Sequence, residues 1–78
     1  MSLKNYVIGT IQGCIEAYLR GNQTIEWAIG MIKHAIRSGA RKEDVIKIIE
    51  KYKKTKLNID IETKIEKLNQ LEEQVLKL

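Results

Sequence analysis

The sequence predicts an all-α protein: a small bundle of three to four helices with a coiled-coil-like helix at its C-terminal end, completed by homo-oligomerisation. The 78 residues contain no proline, and no glycine follows Gly39, so nothing in the second half breaks a helix. Apolar residues recur three or four positions apart along most of the chain, which is the helical period. A chain this short buries only roughly 60% of its unfolded surface, so association between copies is an expected source of further stability.

The first helix is predicted over residues 3–20. Its apolar residues return at helical spacing from Leu3 to Tyr18, and Ser2 is available as an N-cap. Gly21 follows directly and is typical of a helix C-terminus.

A second helix is predicted to begin after Thr24, a preferred N-cap residue, and to end before Gly39, where a left-handed conformation is wanted. A third helix follows a short connection, which predicts that it lies directly against the second. The apolar stripe of the third helix consists of Val45, Ile48, Ile49 and Tyr52.

The C-terminal residues 58–78 are predicted to form a self-association helix beside a helical body of residues 1–57, within a single domain. No residue between 56 and 60 forbids one continuous helix, but Asn58 or Asp60 could cap a new one, and a break is favoured. The apolar residues of this helix step by three or four positions, close to a coiled-coil seam. At about two and a half heptads the helix is too short to be stable alone.

All of the excess positive charge lies in residues 40–56. This segment has seven cations and three anions, and the remaining residues balance, which accounts for the net charge of +4. A basic segment can contact nucleic acid, an acidic protein or a nucleotide, although a solvated helix face with pairs such as Glu43 and Lys47 explains the same pattern. The candidate partner-binding residues are Arg41, Lys42, Lys47, Lys51, Lys53, Lys54 and Lys56.

Small residues recur every four positions along the first helix, at Gly9, Gly13, Ala17 and Gly21. A glycine inside a soluble helix costs about 1 kcal/mol relative to alanine, so close approach of another helix, or of a ligand phosphate, has to compensate.

On the second helix, the bulky apolar residues Trp27 and Met31 extend the buried stripe beyond what one small core requires. Self-association is therefore predicted through Gly9, Gly13, Ala17, Trp27 and Met31, together with Ile61, Ile65, Leu68, Leu71 and Val75 of the C-terminal helix.

The spacing of Ala35, Gly39 and Val45 resembles that of helix-turn-helix units over residues 31–52. The resemblance implies a DNA-binding transcriptional regulator whose reading helix opens at Arg41. Two anions near this point, Glu43 among them, would repel phosphate, and an ordinary helical hairpin explains the same residues.

The favoured function is that of a non-enzymatic regulator or adaptor that forms a homo-oligomer, with a dimer favoured, and binds another protein. The alternatives are the DNA-binding regulator and an oligomer that binds a small anionic nucleotide through the glycine row and the lysines of neighbouring chains. We expect a cytoplasmic protein that does not enter a membrane, because Gln12 and Glu16 interrupt the N-terminal apolar stretch.

No catalytic residue, metal or cofactor is predicted. One cysteine, Cys14, and one histidine, His34, cannot supply four zinc ligands within one chain. No nucleophile stands at a spacing that would bring it together with a base.

Overall fold

A computed structural model describes the backbone of residues 3–78 and the side chains of residues 5–78. Four helices account for nearly all of it: α1 (Leu3–Leu19), α2 (Ile25–Arg37), α3 (Lys42–Lys54) and α4 (Ile61–Leu76). The described residues contain no strand, so the predicted all-α class is confirmed with four helices. The expected N-cap, Ser2, lies outside the described residues. No helix within 3–78 is long and apolar enough to cross a membrane.

The connection between α1 and α2 is built as the sequence predicts. Gly21 has a φ of 79°, a left-handed conformation that glycine adopts without strain. Thr24 is the N-cap of α2, and its hydroxyl accepts a hydrogen bond of 3.2 Å from the Trp27 N–H.

The end of α2 is a Schellman motif centred on Gly39, which has a φ of 118°. The Gly39 N–H donates to the Ile36 carbonyl, and the Ala40 N–H donates back to the Ala35 carbonyl, each at 3.1 Å. The chain therefore turns sharply into α3.

The favoured break between the third and fourth helices is confirmed. Residues 55–60 form an irregular connection, and Asp60, rather than Asn58, caps α4 by accepting a hydrogen bond of 3.0 Å from the Thr63 N–H. The Thr55 hydroxyl donates to the Lys51 carbonyl at 2.8 Å and so helps to end α3.

The helices pack as two pairs, α1 with α2 and α3 with α4, and α1 contacts every other helix. The predicted direct packing of α3 on α2 is not observed, because α3 packs on α4 and α1 instead and makes little contact with α2. The largest fully buried side chains come from all four helices: Ile11, Ile15, Leu19, Ile32, Val45, Ile49, Leu68, Leu71 and Val75.

A reciprocal pair of hydrogen bonds joins α1 to α4. The Tyr18 hydroxyl donates to the Lys67 carbonyl at 3.2 Å, and the Lys67 ammonium donates to the Tyr18 carbonyl at 3.0 Å. The same ammonium lies 5.1 Å from the centre of the Tyr18 ring, within cation–π distance. These contacts fix α4 along the body of the molecule.

Candidate interaction surfaces

The basic segment does not form one continuous surface. Lys47, Lys51 and Lys54 follow one another at helical spacing and form an exposed row on the outer side of α3. Arg41 lies apart from this row, in a cavity beside Val7 and Ser38. Lys54, at the end of the row, lines a different cavity at the connection to α4 together with Lys53 and Lys56. The predicted partner-binding residues therefore fall on several sides of the molecule.

Lys53 is engaged within the chain. Its ammonium lies 3.2 Å from a Glu50 carboxylate oxygen and 3.4 Å from one of Glu72, which joins α3 to α4. Burial lowers the pKa of Lys53, but these two carboxylates outweigh burial and raise it above its usual value. Lys53 has a structural role in the single chain and is less available to a partner than the exposed lysines around it.

Lys42 contributes to a second basic surface that the sequence did not reveal. It lines an open cleft of about 500 Å³ with Lys33 and Arg37 of α2 and with Lys77 at the end of α4. These four cations are far apart in the sequence, and only the packing of α2, α3 and α4 brings them together. No periodic signal along the chain could have indicated this cleft.

One side of α1 and one side of α2 adjoin at the start of α1 and the end of α2, where no charged residue lines the cavity between them. Tyr6 and Thr10 share a cavity of about 310 Å³ with Met31 and His34, so these two helix sides adjoin and the helices run antiparallel. We extend the two helix sides by their helical periodicity, two turns along α1, where the exposed Glu16–Arg20 ion pair borders them, and one turn back along α2. We define the α1–α2 face as Tyr6, Gly9, Thr10, Gly13 and Ala17 of α1 with Trp27, Met31, His34 and Ser38 of α2.

The helical glycines of this face have no packing role within the chain. A β-carbon built on Gly9 or Gly13 would meet no described atom within 4 Å, and both positions are exposed. Close helix crossing inside the fold, one of the expected explanations of the glycine row, is therefore not what the described residues show. Two large apolar side chains beside the glycines are also open to solvent, since Tyr6 is 67% exposed and Trp27 is 36% exposed.

The apolar seam of α4 is mostly covered by the chain itself. Leu68, Leu71 and Val75 are fully buried in the core of the single chain, so they are not accessible to a second copy in this structure. Ile61 is 68% exposed and Ile65 is partly buried. These two side chains lie on an open shelf that also carries the carboxylates Glu62, Glu66 and Glu73.

A buried lysine, Lys64, occupies a position in the apolar seam of α4 that Ile65 was expected to fill. Lys64 is only 4% exposed, and its ammonium donates a hydrogen bond of 2.7 Å to the Thr55 carbonyl at the end of α3. Its position four residues before Leu68 was the only available sequence signal. The residue type masked that signal, because lysine is rarely buried.

Cys14 is buried, and burial raises the pKa of its thiol, which disfavours the reactive thiolate. Between residues 5 and 78, no group of three or more His, Cys, Asp or Glu side chains is placed to hold a metal ion.

The structure thus offers three candidate surfaces: the α1–α2 face, the row of lysines on α3, and the four-cation cleft. Glycines and bulky apolar groups dominate the first, and cations dominate the other two. Comparison of the chain with protein-family models, with curated proteins and with solved structures yields no match.

Proposed function

We propose that the protein is a non-enzymatic oligomeric regulator or adaptor that self-associates through the α1–α2 face and binds a protein partner through its exposed cations. The observation that carries the proposal is the α1–α2 face, where open glycines stand beside an exposed tyrosine and tryptophan. Tryptophan, tyrosine and methionine are enriched where proteins contact one another.

If the occupant is a second copy, charge favours this face over the others. Each chain has a net charge of +4, so the repulsion between two copies is smallest where few charges meet. The nine residues of the α1–α2 face include no lysine, arginine, aspartate or glutamate. A second exposed apolar site, the shelf at Ile61 on α4, is bordered by three carboxylates, which two copies would bring together if they paired there.

Shape favours the same arrangement. A two-fold dimer places the same surface on both sides of its interface, so that surface has to supply both protrusions and recesses. Here Tyr6 and Trp27 protrude, while Gly9 and Gly13 leave the backbone of α1 uncovered. The bulky groups of one copy would fill the uncovered strip of the other. This packing would offset the loss of helix stability that the glycines cause.

Sedimentation equilibrium of Tyr6→Lys and Leu76→Lys tests the assembly. Both replace an exposed apolar side chain on a helix, with exposures of 67% and 62%, by the same cation. We expect the wild type and Leu76→Lys to be dimers at the same protein concentration and Tyr6→Lys to be a monomer. Equal dimerisation of all three proteins would overturn the α1–α2 assignment, and loss of the dimer in Leu76→Lys alone would assign the interface to the C-terminal end of α4.

The lysine row on α3 favours DNA binding as a second candidate function. Lys47 and Lys54, the first and last of its three lysines, are seven positions apart, or about 10 Å along the helix, a distance over which several phosphates of one strand lie. None of the three forms an ion pair among the described residues. If this row binds duplex DNA, the logarithm of the affinity should fall steeply with the logarithm of salt concentration, and Lys47→Gln/Lys51→Gln should reduce the slope by roughly two.

A further inference from the structure

The four-cation cleft lies where α2 ends, α3 begins and α4 ends. Its volume is about 500 Å³, and Ile36 and Leu78 provide an apolar floor between the cationic side chains. Of the side chains that the structure describes, none of those lining the cleft is a carboxylate. The cleft therefore combines positive charge with a small apolar surface.

The cations of the cleft are largely uncompensated. Lys33 and Arg37 are exposed, one turn apart on α2, and like charges at this spacing destabilise a helix slightly. Lys33, Arg37 and Lys42 take part in no ion pair among residues 5–78. Lys77 contacts Glu73 at 3.5 Å, but both side chains are at least 70% exposed, so water and salt screen this pair.

We propose that this cleft binds a short acidic segment of the protein partner, an inference that rests on the proposed function. Carboxylates of the segment pair with Lys33, Arg37 and Lys42, and one aliphatic side chain covers Ile36 and Leu78. The planar guanidinium of Arg37 can donate two parallel hydrogen bonds to one carboxylate, which adds geometric specificity.

The lining residues favour a peptide over a nucleotide. No aromatic side chain lines the cleft, so a base would find only the guanidinium plane of Arg37 on which to stack. Small-molecule sites are usually concave and carry a few buried polar groups that orient the ligand, whereas this cleft is open and its cations are long and flexible. Such cations suit charges distributed along an extended segment.

The test measures binding of a fluorescein-labelled, end-capped peptide of alternating glutamate and leucine to the full chain by fluorescence anisotropy. Two variants are compared, Lys33→Glu/Arg37→Glu in the cleft and Lys47→Glu/Lys51→Glu on the α3 row. Both pairs are exposed, are spaced by four residues on a helix and change the net charge equally. We expect the cleft variant to weaken binding by about tenfold or more and the row variant by less than about threefold.

Equal weakening by the two variants would overturn the inference, because it would mean that the peptide responds to overall charge. Inorganic triphosphate is the second probe, and if it binds the wild type in the cleft while the peptide does not, the site is one for phosphate and the inference is wrong. Far-UV circular dichroism shows whether each variant is folded. If Lys33→Glu/Arg37→Glu unfolds, Lys33→Gln/Arg37→Gln is measured in its place.

Sedimentation of the same samples separates this inference from the proposed function. A dimer that does not bind the peptide would overturn the cleft assignment alone. A monomer that binds the peptide would leave the cleft in place and overturn self-association through the α1–α2 face. The cleft variant itself is expected to remain dimeric, since its two substitutions lie outside that face.

Discussion

The ammonium of Lys64 is buried beneath the connection between α3 and α4, where it donates to the Thr55 carbonyl. This carbonyl lies just past the last turn of α3 and has no partner within that helix. A lysine suits the position because its aliphatic stem packs in the α4 seam while its head satisfies the carbonyl. The residue thus contributes both packing and a charge-assisted hydrogen bond.

We expect Lys64→Ala to lower the free energy of unfolding by about 1–3 kcal/mol, because it removes the buried stem and the hydrogen bond together. Lys64→Met keeps most of the buried volume and is the matched control, with a smaller loss. Urea denaturation of the three proteins measures both effects. Equal stability of Lys64→Ala and the wild type would mean that the contact with Thr55 contributes nothing.

Tyr52 provides a pH-dependent contribution to stability. The pKa of its hydroxyl is raised to about 12, chiefly by burial and also by the nearby Glu16 carboxylate, while the Arg20 guanidinium acts in the opposite direction. An unfolded tyrosine has a pKa near 10, so between these values the folded state keeps a proton that the unfolded state has lost. The resulting stabilisation is complete below pH 10 and is lost as the pH rises towards about 12.

Comparison with Tyr52→Phe isolates this contribution from the other groups that titrate in the same range. We expect the wild type's unfolding free energy, relative to that of Tyr52→Phe, to fall as the pH increases above 10. Urea midpoints of the two proteins at pH values from neutral to alkaline measure the difference. Parallel curves would show that the phenol titrates alike in the folded and unfolded states.

At the scale of elements, most helix ends follow from local chemistry. Thr24, Gly39 and Asp60 stand where the backbone needs a cap or a left-handed residue, and each takes that role. Which helices pack against one another was harder to predict from the sequence. The short connection to α3 predicted a contact with α2, whereas the apolar stripes direct α3 to α4 and α1. The cleft cations depend on that packing, so their spacing in the sequence could not predict the cleft. The burial of Lys64 fits its spacing to Leu68, but the residue type argued against it.

The position of α4 in the core predicts the behaviour of a truncated chain. Leu68, Leu71 and Val75 are fully buried, and each such side chain contributes about 1.5–3 kcal/mol. Their sum is comparable to the total stability of a small domain, about 5–15 kcal/mol. We therefore expect residues 1–57 to lose cooperative thermal unfolding and much of their helical circular dichroism.

A peptide of residues 58–78 added in trans is the control for this truncation. It should restore helical signal and a cooperative transition if α4 is a part of the core that α1–α3 require. A truncated chain that already unfolds cooperatively would instead support a self-sufficient body with a separate C-terminal helix.

At the scale of the whole molecule, the open glycines of α1 make stability depend on protein concentration. In a single chain, Gly13→Ala adds a methyl group that meets nothing within 4 Å, and it should stabilise α1 by about 1 kcal/mol. In a dimer through the α1–α2 face, the same methyl group would stand between two closely packed backbones. We expect Gly13→Ala to raise the melting temperature at about 1 μM protein and to raise it less, or lower it, at about 500 μM, because mass action populates the dimer.

Combining this substitution with Tyr6→Lys separates the two effects. Tyr6→Lys is expected to keep the chain monomeric, so Gly13→Ala in that background should stabilise equally at both concentrations. Loss of concentration dependence in the double variant, with its retention in Gly13→Ala alone, would place the glycine against a second copy. A constant stabilisation in both backgrounds would contradict assembly through this face. If alanine at position 13 raises stability under every condition, no neighbouring chain packs so closely there that a side chain is excluded.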